Sequence, residues 1–476
     1  MRKSEEIKVN GEKRRVAIIG GGITGLTVAF YLQKEMEAKG LPIEYKLYES
    51  SDRLGGKIQT DYTDGFVIEK GPDSFLERKQ SAARLAKAVG LEKELLNNDT
   101  GQAYILKEKK LFPIPGGSVM GIPTEITPFA TTNLFSPVGK VRAAADLILP
   151  RRGNAGEDQS LGTFFRHRLG DEVVDYLIEP LLSGIYAGDI DKLSLMATFP
   201  QFHQVEQKHR SLILGMKKGK TKQRNTGKKA GMFLSLKGGL QSLVDAIEYH
   251  LKKDAIEKNA SVQHIKKKDN DTYELQLSDG RMETFDYVVL TTPHQVTHSL
   301  LSQYNVMNSF ADMPSTSVAT VAMAFRESAI KEDLDGTGFV VSKKGDYDIT
   351  ACTWTHKKWK HTAPEGYALL RCYVGRFGDE AIVFEQDDEI LKKVLEDLSS
   401  IIKVEGDPLF YQITRWENAM PQYIVGHKER VEKAKKAVQQ TLPGVMITGA
   451  SYEGLGIPDC IDQGEAVVRD LVARFT

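Results

Sequence analysis

The chain of 476 residues has no net charge, with 64 basic and 64 acidic side chains. That balance argues against a protein whose main task is holding nucleic acid, because neutralising phosphates needs clustered positive charge. Cysteine is scarce: Cys352, Cys372 and Cys460 lack metal-ligand spacing and are too few for a disulfide framework, so they fit a reducing cytosol. No apolar run approaches the roughly 18 residues of a membrane span, and no secretory signal of the usual form precedes the four-residue run Val16-Ala17-Ile18-Ile19. A cytoplasmic protein is expected, at most resting on a membrane surface. No internal repeat is visible. With 41% hydrophobic residues, the chain is also too apolar for global disorder.

Residues 16–19 end at Gly20 and read as a buried parallel strand. Leu26, Ala29 and Phe30 then follow at helical spacing, and the helix should fade near Lys39-Gly40. A second strand over 43–49 ends on Glu49, completing a βαβ unit. Residues from about 80 to 205 read as mostly helical or irregular, with helices over 161–169 and 172–182. Residues 208–230 hold nine lysines or arginines and no acid, among them Lys217, Lys218, Lys220, Lys222, Arg224, Lys228 and Lys229. Like-charge blocks usually form solvated loops, and a loop is expected here; an anion-facing flap is the alternative. Strands return over 261–265, 273–277 and 287–290, with a turn at Asp279-Gly280. Alternating patterns over 317–325 and 368–374 mark an antiparallel sheet with one buried face. An apolar strand over 445–448, a glycine-rich loop and a final helix close the chain.

Gly20-Gly21-Gly22-Ile23-Thr24-Gly25 is a G-x-G-x-x-G after a strand and opening a helix, the context that dinucleotide binding requires. The helix start supplies N–H groups and partial positive charge for a pyrophosphate. Glu49 is placed to bond ribose hydroxyls, at a spacing somewhat longer than usual. The motif alone does not separate FAD from NAD. No second copy of it is present to hold NAD. Two further segments are glycine-rich: Arg53-Leu54-Gly55-Gly56-Lys57, and Gly449 through Cys460, in which Pro458 is a plausible first helical residue.

The first of these segments resembles the arginine–glycine-doublet signature of the FAD-dependent amine oxidase and desaturase superfamily, and the second its other FAD-contact region. Gly71-Pro72-Asp73-Ser74-Phe75, Ser183-Gly184-Ile185-Tyr186-Ala187-Gly188-Asp189, Met420-Pro421-Gln422-Tyr423 and Ile457-Pro458-Asp459-Cys460 sharpen the match. They resemble the protoporphyrinogen oxidase family, most closely its soluble bacterial branch acting on coproporphyrinogen III. The resemblance spans nearly the whole chain.

It implies an α/β fold (α+β overall), with a Rossmann-type FAD-binding domain of the amine oxidase/p-hydroxybenzoate hydroxylase type. That domain would comprise residues 14–80, 231–300 and 431–476. A helical domain (81–207), the basic loop (208–230) and a mixed-sheet substrate domain (301–430) would complete it. The implied activity is oxygen-using, six-electron oxidation of coproporphyrinogen III to coproporphyrin III in haem biosynthesis, with hydrogen peroxide as by-product. FAD would be held non-covalently and no metal is expected. The implied FAD neighbours are Gly20, Gly21, Gly22, Ile23, Thr24, Gly25, Glu49, Ser50, Arg53, Gly56, Lys57, Gly71, Pro72, Asp73, Ser74, Val262, Trp416, Ile457, Pro458 and Asp459.

Residues carried over as substrate-positioning are Lys79, against a propionate; Gly184, with its backbone near the macrocycle centre; and Tyr373, packing on a pyrrole. Their plainer alternatives are a surface lysine, a helix-ending glycine and a core tyrosine. His427 is expected to be structural. Expected partners are the porphyrinogen, molecular oxygen and, transiently, other haem-pathway enzymes, with no nucleic acid. Other readings left open are a protoporphyrinogen IX oxidase, another amine oxidase or desaturase, a dinucleotide dehydrogenase, and a flavin-free binding protein like the GDP-dissociation inhibitors.

Overall fold

The computed structural model describes residues 13–99, 101–151, 156–223, 231–332 and 334–475. A five-stranded, all-parallel sheet runs in the order Ile256–Glu257, Ile43–Tyr48, Arg14–Ile19, Tyr287–Leu290, Val445–Ile447. Val16, Ala17 and Ile18 are fully buried. They lack polar alternation because both faces of a parallel sheet are covered. Helix Ile23–Lys39 follows the first strand and stops at Gly40, whose left-handed φ of 62° a side chain would resist. It packs against the closing helix Ile457–Phe475, where a Cβ on Gly464 would stand only 3.0 Å from the Thr27 side chain. First and last segments of the chain thus build one layer.

The Asp279-Gly280 turn joins Tyr273–Leu277 to a strand that the sequence pattern did not reveal, Met282–Phe285. The chain then leaves this three-stranded sheet and enters the parallel one at Tyr287. Asp286 fixes the switch by accepting hydrogen bonds from the Arg15 backbone (2.7 Å) and the Arg14 guanidinium (2.8 Å).

A second, seven-stranded sheet is mixed: Phe410–Pro421, Ser315–Arg326, Tyr367–Val374, Ile349–Trp354, Gly338–Val341, Ala103–Lys107, Lys110–Pro113. Its last two strands fall within residues 80–205, a region that is otherwise mostly helical or irregular, as the sequence pattern predicts. Ala103–Lys107 pairs in parallel with Gly338–Val341, and Leu95–Asn97 pairs with Phe233–Leu236. Both partners are remote in the chain, so no local pattern marked these short strands. Helix Leu161–Leu169 forms as expected, whereas the helix expected over 172–182 is interrupted by a π-helical turn, Val174–Ile178, before Glu179–Tyr186.

The basic segment is corrected too. Leu212–Gln223 is a helix rather than a loop, and residues 224–230, with Arg224, Lys228 and Lys229, lie outside the described residues. The polar residues 1–12 lie outside them as well. Its start is capped: Ser211 Oγ accepts from Leu214 N (3.1 Å), and Asp146 Oδ2 accepts from Ile213 N (3.0 Å) and Ser211 Oγ (2.6 Å). Asp146 is held by the fully buried Arg168 (2.7 Å), whose guanidinium also bonds Glu206 (3.4 Å) and the carbonyls of Pro150 and Arg210 (2.7 Å each). Arg168→Met should therefore cost about 3–5 kcal/mol in denaturant unfolding, because it removes the cation paired with two buried carboxylates. A loss below about 1 kcal/mol would show that the cluster tolerates an apolar replacement.

Candidate functional site

Strand Arg14–Ile19, the central one of the five, delivers the glycine turn to the carboxyl end of the parallel sheet. Gly20 has φ +108°, and Thr291 Oγ1 donates to its carbonyl (2.9 Å) and to that of Ile19 (3.0 Å). A Cβ on Gly25 would overlap the Gly20 carbonyl oxygen, so helix and strand approach as closely as backbones allow. Gly22 differs: nothing lies within 4 Å of a Cβ placed there. It is the N-cap of helix Ile23–Lys39, with extended backbone and no side-chain cap, so the helix start opens onto space that suits a pyrophosphate. Ile23 is half-buried and Thr24 buried beneath the turn.

Glu49 stands beside this turn. Its carboxylate accepts from Gly21 N (2.7 Å), Ser51 N (2.9 Å), Ser51 Oγ (2.9 Å) and Ser50 Oγ (3.3 Å). Ala260 N donates to the Glu49 carbonyl (2.9 Å), bringing Val262 and its strand to the same end. Gly55 N bonds the Gly21 carbonyl (2.8 Å), and a Cβ on Gly56 would lie 3.2 Å from Gly22 Cα. The Arg53 guanidinium is directed at its own loop: it donates to the carbonyls of Gly56 (2.8 Å) and Ile58 and to Gln241 (3.3 Å). Its observed contacts shape the glycine doublet; none is to a phosphate position. Lys57 donates to the Ala419 carbonyl, and burial pushes its ammonium below the ordinary lysine range.

The segment from Lys70 to Ser74 is gripped from the second sheet. The Lys70 carbonyl accepts from Trp416 Nε1 (2.9 Å), Thr320 Oγ1 (3.0 Å) and Arg371 (3.3 Å), and Arg371 also bonds the Gly71 carbonyl. A Cβ on Gly71 would overlap the Lys57 carbonyl oxygen, packing this turn, with Pro72 next in it, onto the glycine-doublet loop. Asp73 pairs with Lys358 (2.7 Å) and accepts from Ser74 Oγ (2.7 Å). Burial opposes its charge, but Lys358 and Arg371 outweigh that and hold the carboxyl well below the usual range. Nearby Glu69 goes the other way. Burial pushes it up to about 7, against hydrogen bonds from Leu240 N (2.6 Å) and Thr60 Oγ1 (2.9 Å).

The carboxy-terminal loop closes over the same end. Tyr423 Oη donates to the Ala450 carbonyl (2.8 Å) and accepts from Gly454 N (2.9 Å). Its neighbour Gln422 donates to the Tyr186 carbonyl (2.8 Å), so the segment around Gly184 is tied to this loop. Helix Ile457–Phe475 begins here, with Pro458 in its first turn and the Pro458 carbonyl accepting from Ser81 Oγ (3.0 Å). Lys79 is found in an ion pair with Asp459, both partly exposed. Gly184 is exposed, with nothing within 4 Å of a Cβ there. Tyr373 is half-buried, the Arg371 guanidinium 5.0 Å from its ring centre. His427 bonds the Tyr452 carbonyl (2.8 Å) and stacks on Tyr423 at 3.9 Å, and burial lowers it to about 4. That contact set is structural. Sequence reasoning missed Thr291, Lys358 and Arg371. Only Arg371 carried a signal, a lone charge inside the apolar run Ala368-Leu369-Leu370-Arg371-Cys372.

The sequence profile described as flavin containing amine oxidoreductase matches residues 23–472. A coproporphyrinogen III oxidase of Bacillus subtilis (strain 168) is 55% identical over 461 residues, covering 96% of this chain and 98% of its own. One from Staphylococcus aureus is 46% identical, covering 97% and 100%. A crystal structure from Exiguobacterium sp. 255-15 bearing the name protoporphyrinogen oxidase superposes with a TM-score of 0.87 at 39% identity, covering 97% and 99%. UDP-galactopyranose mutase, at 16% identity and a TM-score of 0.71, shares the fold.

Two outcomes follow from this geometry. Gly22→Val should leave folding intact, since its side chain enters open space, but purify without flavin; a full flavin complement would refute the pyrophosphate position. Glu69, raised when folded, favours the folded state below pH about 4.5 and withdraws about 3 kcal/mol as pH climbs past 7. Unfolding at pH 5 and pH 8 should show Glu69→Gln losing about that much less than the parent over this interval. Equal losses would mean that Glu69 is charged throughout.

Proposed function

The chain belongs to the flavin containing amine oxidoreductase family, and we propose that it oxidises coproporphyrinogen III to coproporphyrin III in haem biosynthesis, removing six electrons. The carrying observation is the 55% and 46% identity, over almost the full length, to two enzymes of that name. The cofactor is read as FAD, held without a covalent bond. In support, the space over Gly22 suits a pyrophosphate, and Glu49 directly follows the second strand beside the glycine turn, where an acid would bond a ribose. Cys460 is buried, its Sγ facing the Gly454 and Leu455 carbonyls, and burial pushes its thiol up to about 11, which makes it a poor nucleophile. When bound, the flavin supplies hydride acceptance from a meso carbon and passes electrons to oxygen, with hydrogen peroxide as product.

The chain's own task is to hold a flat, acid-fringed macrocycle against that cofactor in a dry cavity. Tyr373 offers an aromatic face for a pyrrole, Gly184 offers bare backbone, and Lys79, paired with Asp459 but partly exposed, would turn its cation to a propionate. Helix Ile457–Phe475 starts at the carboxy-terminal loop, and its dipole favours negative charge there. The exposed Lys217 and Lys218 lie on the basic helix, in keeping with a substrate of four propionates. No helix among the described residues is long and apolar enough to cross a membrane. The reading adopted is a cytoplasmic enzyme with at most peripheral membrane contact and transient contacts with other enzymes of the pathway.

The name of the Exiguobacterium structure favours protoporphyrinogen IX as a second substrate reading. Oxygen-dependent porphyrin fluorescence, with both porphyrinogens in parallel, decides between them. Faster turnover of the four-propionate compound is expected; preference for protoporphyrinogen would reverse the assignment, and fluorescence from neither would sink both. In the same assay Lys79→Gln should raise KM about tenfold with kcat and flavin content little changed. An unaltered KM with lost flavin would confine Lys79 to bracing Asp459.

A further inference from the structure

Behind the Lys70–Ser74 segment lies a small cavity of about 10 Å³, lined in part by Glu69, Asp73, Thr355, Trp359 and Arg371. Three of these lining residues carry a buried polar atom without a hydrogen-bond partner: Thr355 Oγ1, Trp359 Nε1 and Arg371 Nε. All three residues are at most 4% exposed. An orphaned donor in such a place costs about 1–3 kcal/mol, so three around one cavity mark a built site. Two of the atoms, Trp359 Nε1 and Arg371 Nε, can only donate. The cavity admits about one water-sized sphere. Asp73, kept ionised by Lys358 and Arg371, is in the lining and disfavours an anion.

We propose that this cavity is a binding site for one ordered water, and that this water holds Arg371 as a positioning residue for the cofactor turn and Tyr373. The water accepts from Trp359 Nε1 and Arg371 Nε and donates to Glu69 and Thr355 Oγ1, which fills its four positions. With Nε so fixed, the other end of the guanidinium is aimed at the carbonyls of Lys70 and Gly71, while its Cζ stays 5.0 Å from the centre of the Tyr373 ring. Arg371 thereby connects the turn read as contacting flavin with the aromatic side chain read as contacting substrate. Lysine cannot reproduce this, because it lacks the rigid fork of donors. The role of Arg371 rests on the reading of the Gly71–Ser74 segment as a flavin contact; the water site does not.

The test uses the flavin-loaded, full-length protein. Diffraction from crystals grown with sodium bromide should show a single spherical peak within hydrogen-bond distance of Trp359 Nε1 and Arg371 Nε, without anomalous signal. An empty cavity, or an anomalous bromide peak, overturns the water site. Flavin dissociation constants from flavin fluorescence are then compared for the parent, Trp359→Phe and Arg371→Lys. Trp359→Phe keeps the packing and removes one donor, and should weaken flavin binding about fivefold; Arg371→Lys should weaken it about tenfold or more. Should Arg371→Lys fail to fold, Trp359→Phe carries the comparison. A Trp359→Phe protein of lowered melting temperature but unchanged flavin affinity overturns the positioning role. No porphyrinogen enters this experiment, so its failure is separable from that of the substrate reading.

Discussion

Everything at the candidate site depends on one close approach. The helix Ile23–Lys39 can start where it does only because Gly25 has no Cβ to strike the Gly20 carbonyl oxygen. That contact sets the angle at which the helix leaves the first strand, and so sets the open space over Gly22. Neighbouring pieces are built to the same tolerance. Gly55 bonds Gly21, Gly56 crowds Gly22, and Gly71 lies against the Lys57 carbonyl. Segments far apart in the chain stack backbone on backbone with little side-chain volume between them. The fold trades packing material for a cradle that a phosphate and a flat ring system can enter.

Charge is handled by the opposite means. Near the cradle, Asp73 is held by Lys358 and the Lys70 and Gly71 carbonyls by Arg371; away from it, Asp146 is held by Arg168 in the same manner. Removing one partner would leave an isolated charge in low dielectric, which is far more costly than the pair itself. The result is a stiff wall, drawn from the seven-stranded sheet, set against a glycine-lined wall from the parallel sheet. A flavin and its substrate need that stiffness, because the reacting atoms must be held close and oriented.

The amino acid sequence made the glycine wall legible and the charged wall largely illegible. Gly20 through Gly25 announce a tight turn locally, since the same few residues contain the strand end, the turn and the helix start. Glu49 was legible as the acid that follows the second strand, and it lies beside the turn. Arg53 was legible as part of the motif, but not the direction of its guanidinium toward its own loop. Arg371, Lys358 and Thr291 act on segments hundreds of residues away in the chain, which no local periodicity records. Ala103–Lys107 escaped notice likewise, because a five-residue strand is defined by its partner. The lysines of 212–223 read as a loop because the capping contacts from Asp146 to Ser211 and Ile213 are tertiary.

The central claim is that these two walls close around a single, non-covalently held FAD. Its most direct test is to denature the purified yellow protein with acid, remove the precipitate and identify by mass spectrometry what stays in solution. One FAD per chain is expected, all of it in the supernatant. Flavin remaining with the precipitated protein, FMN in place of FAD, or a chain that never carries flavin would each contradict it.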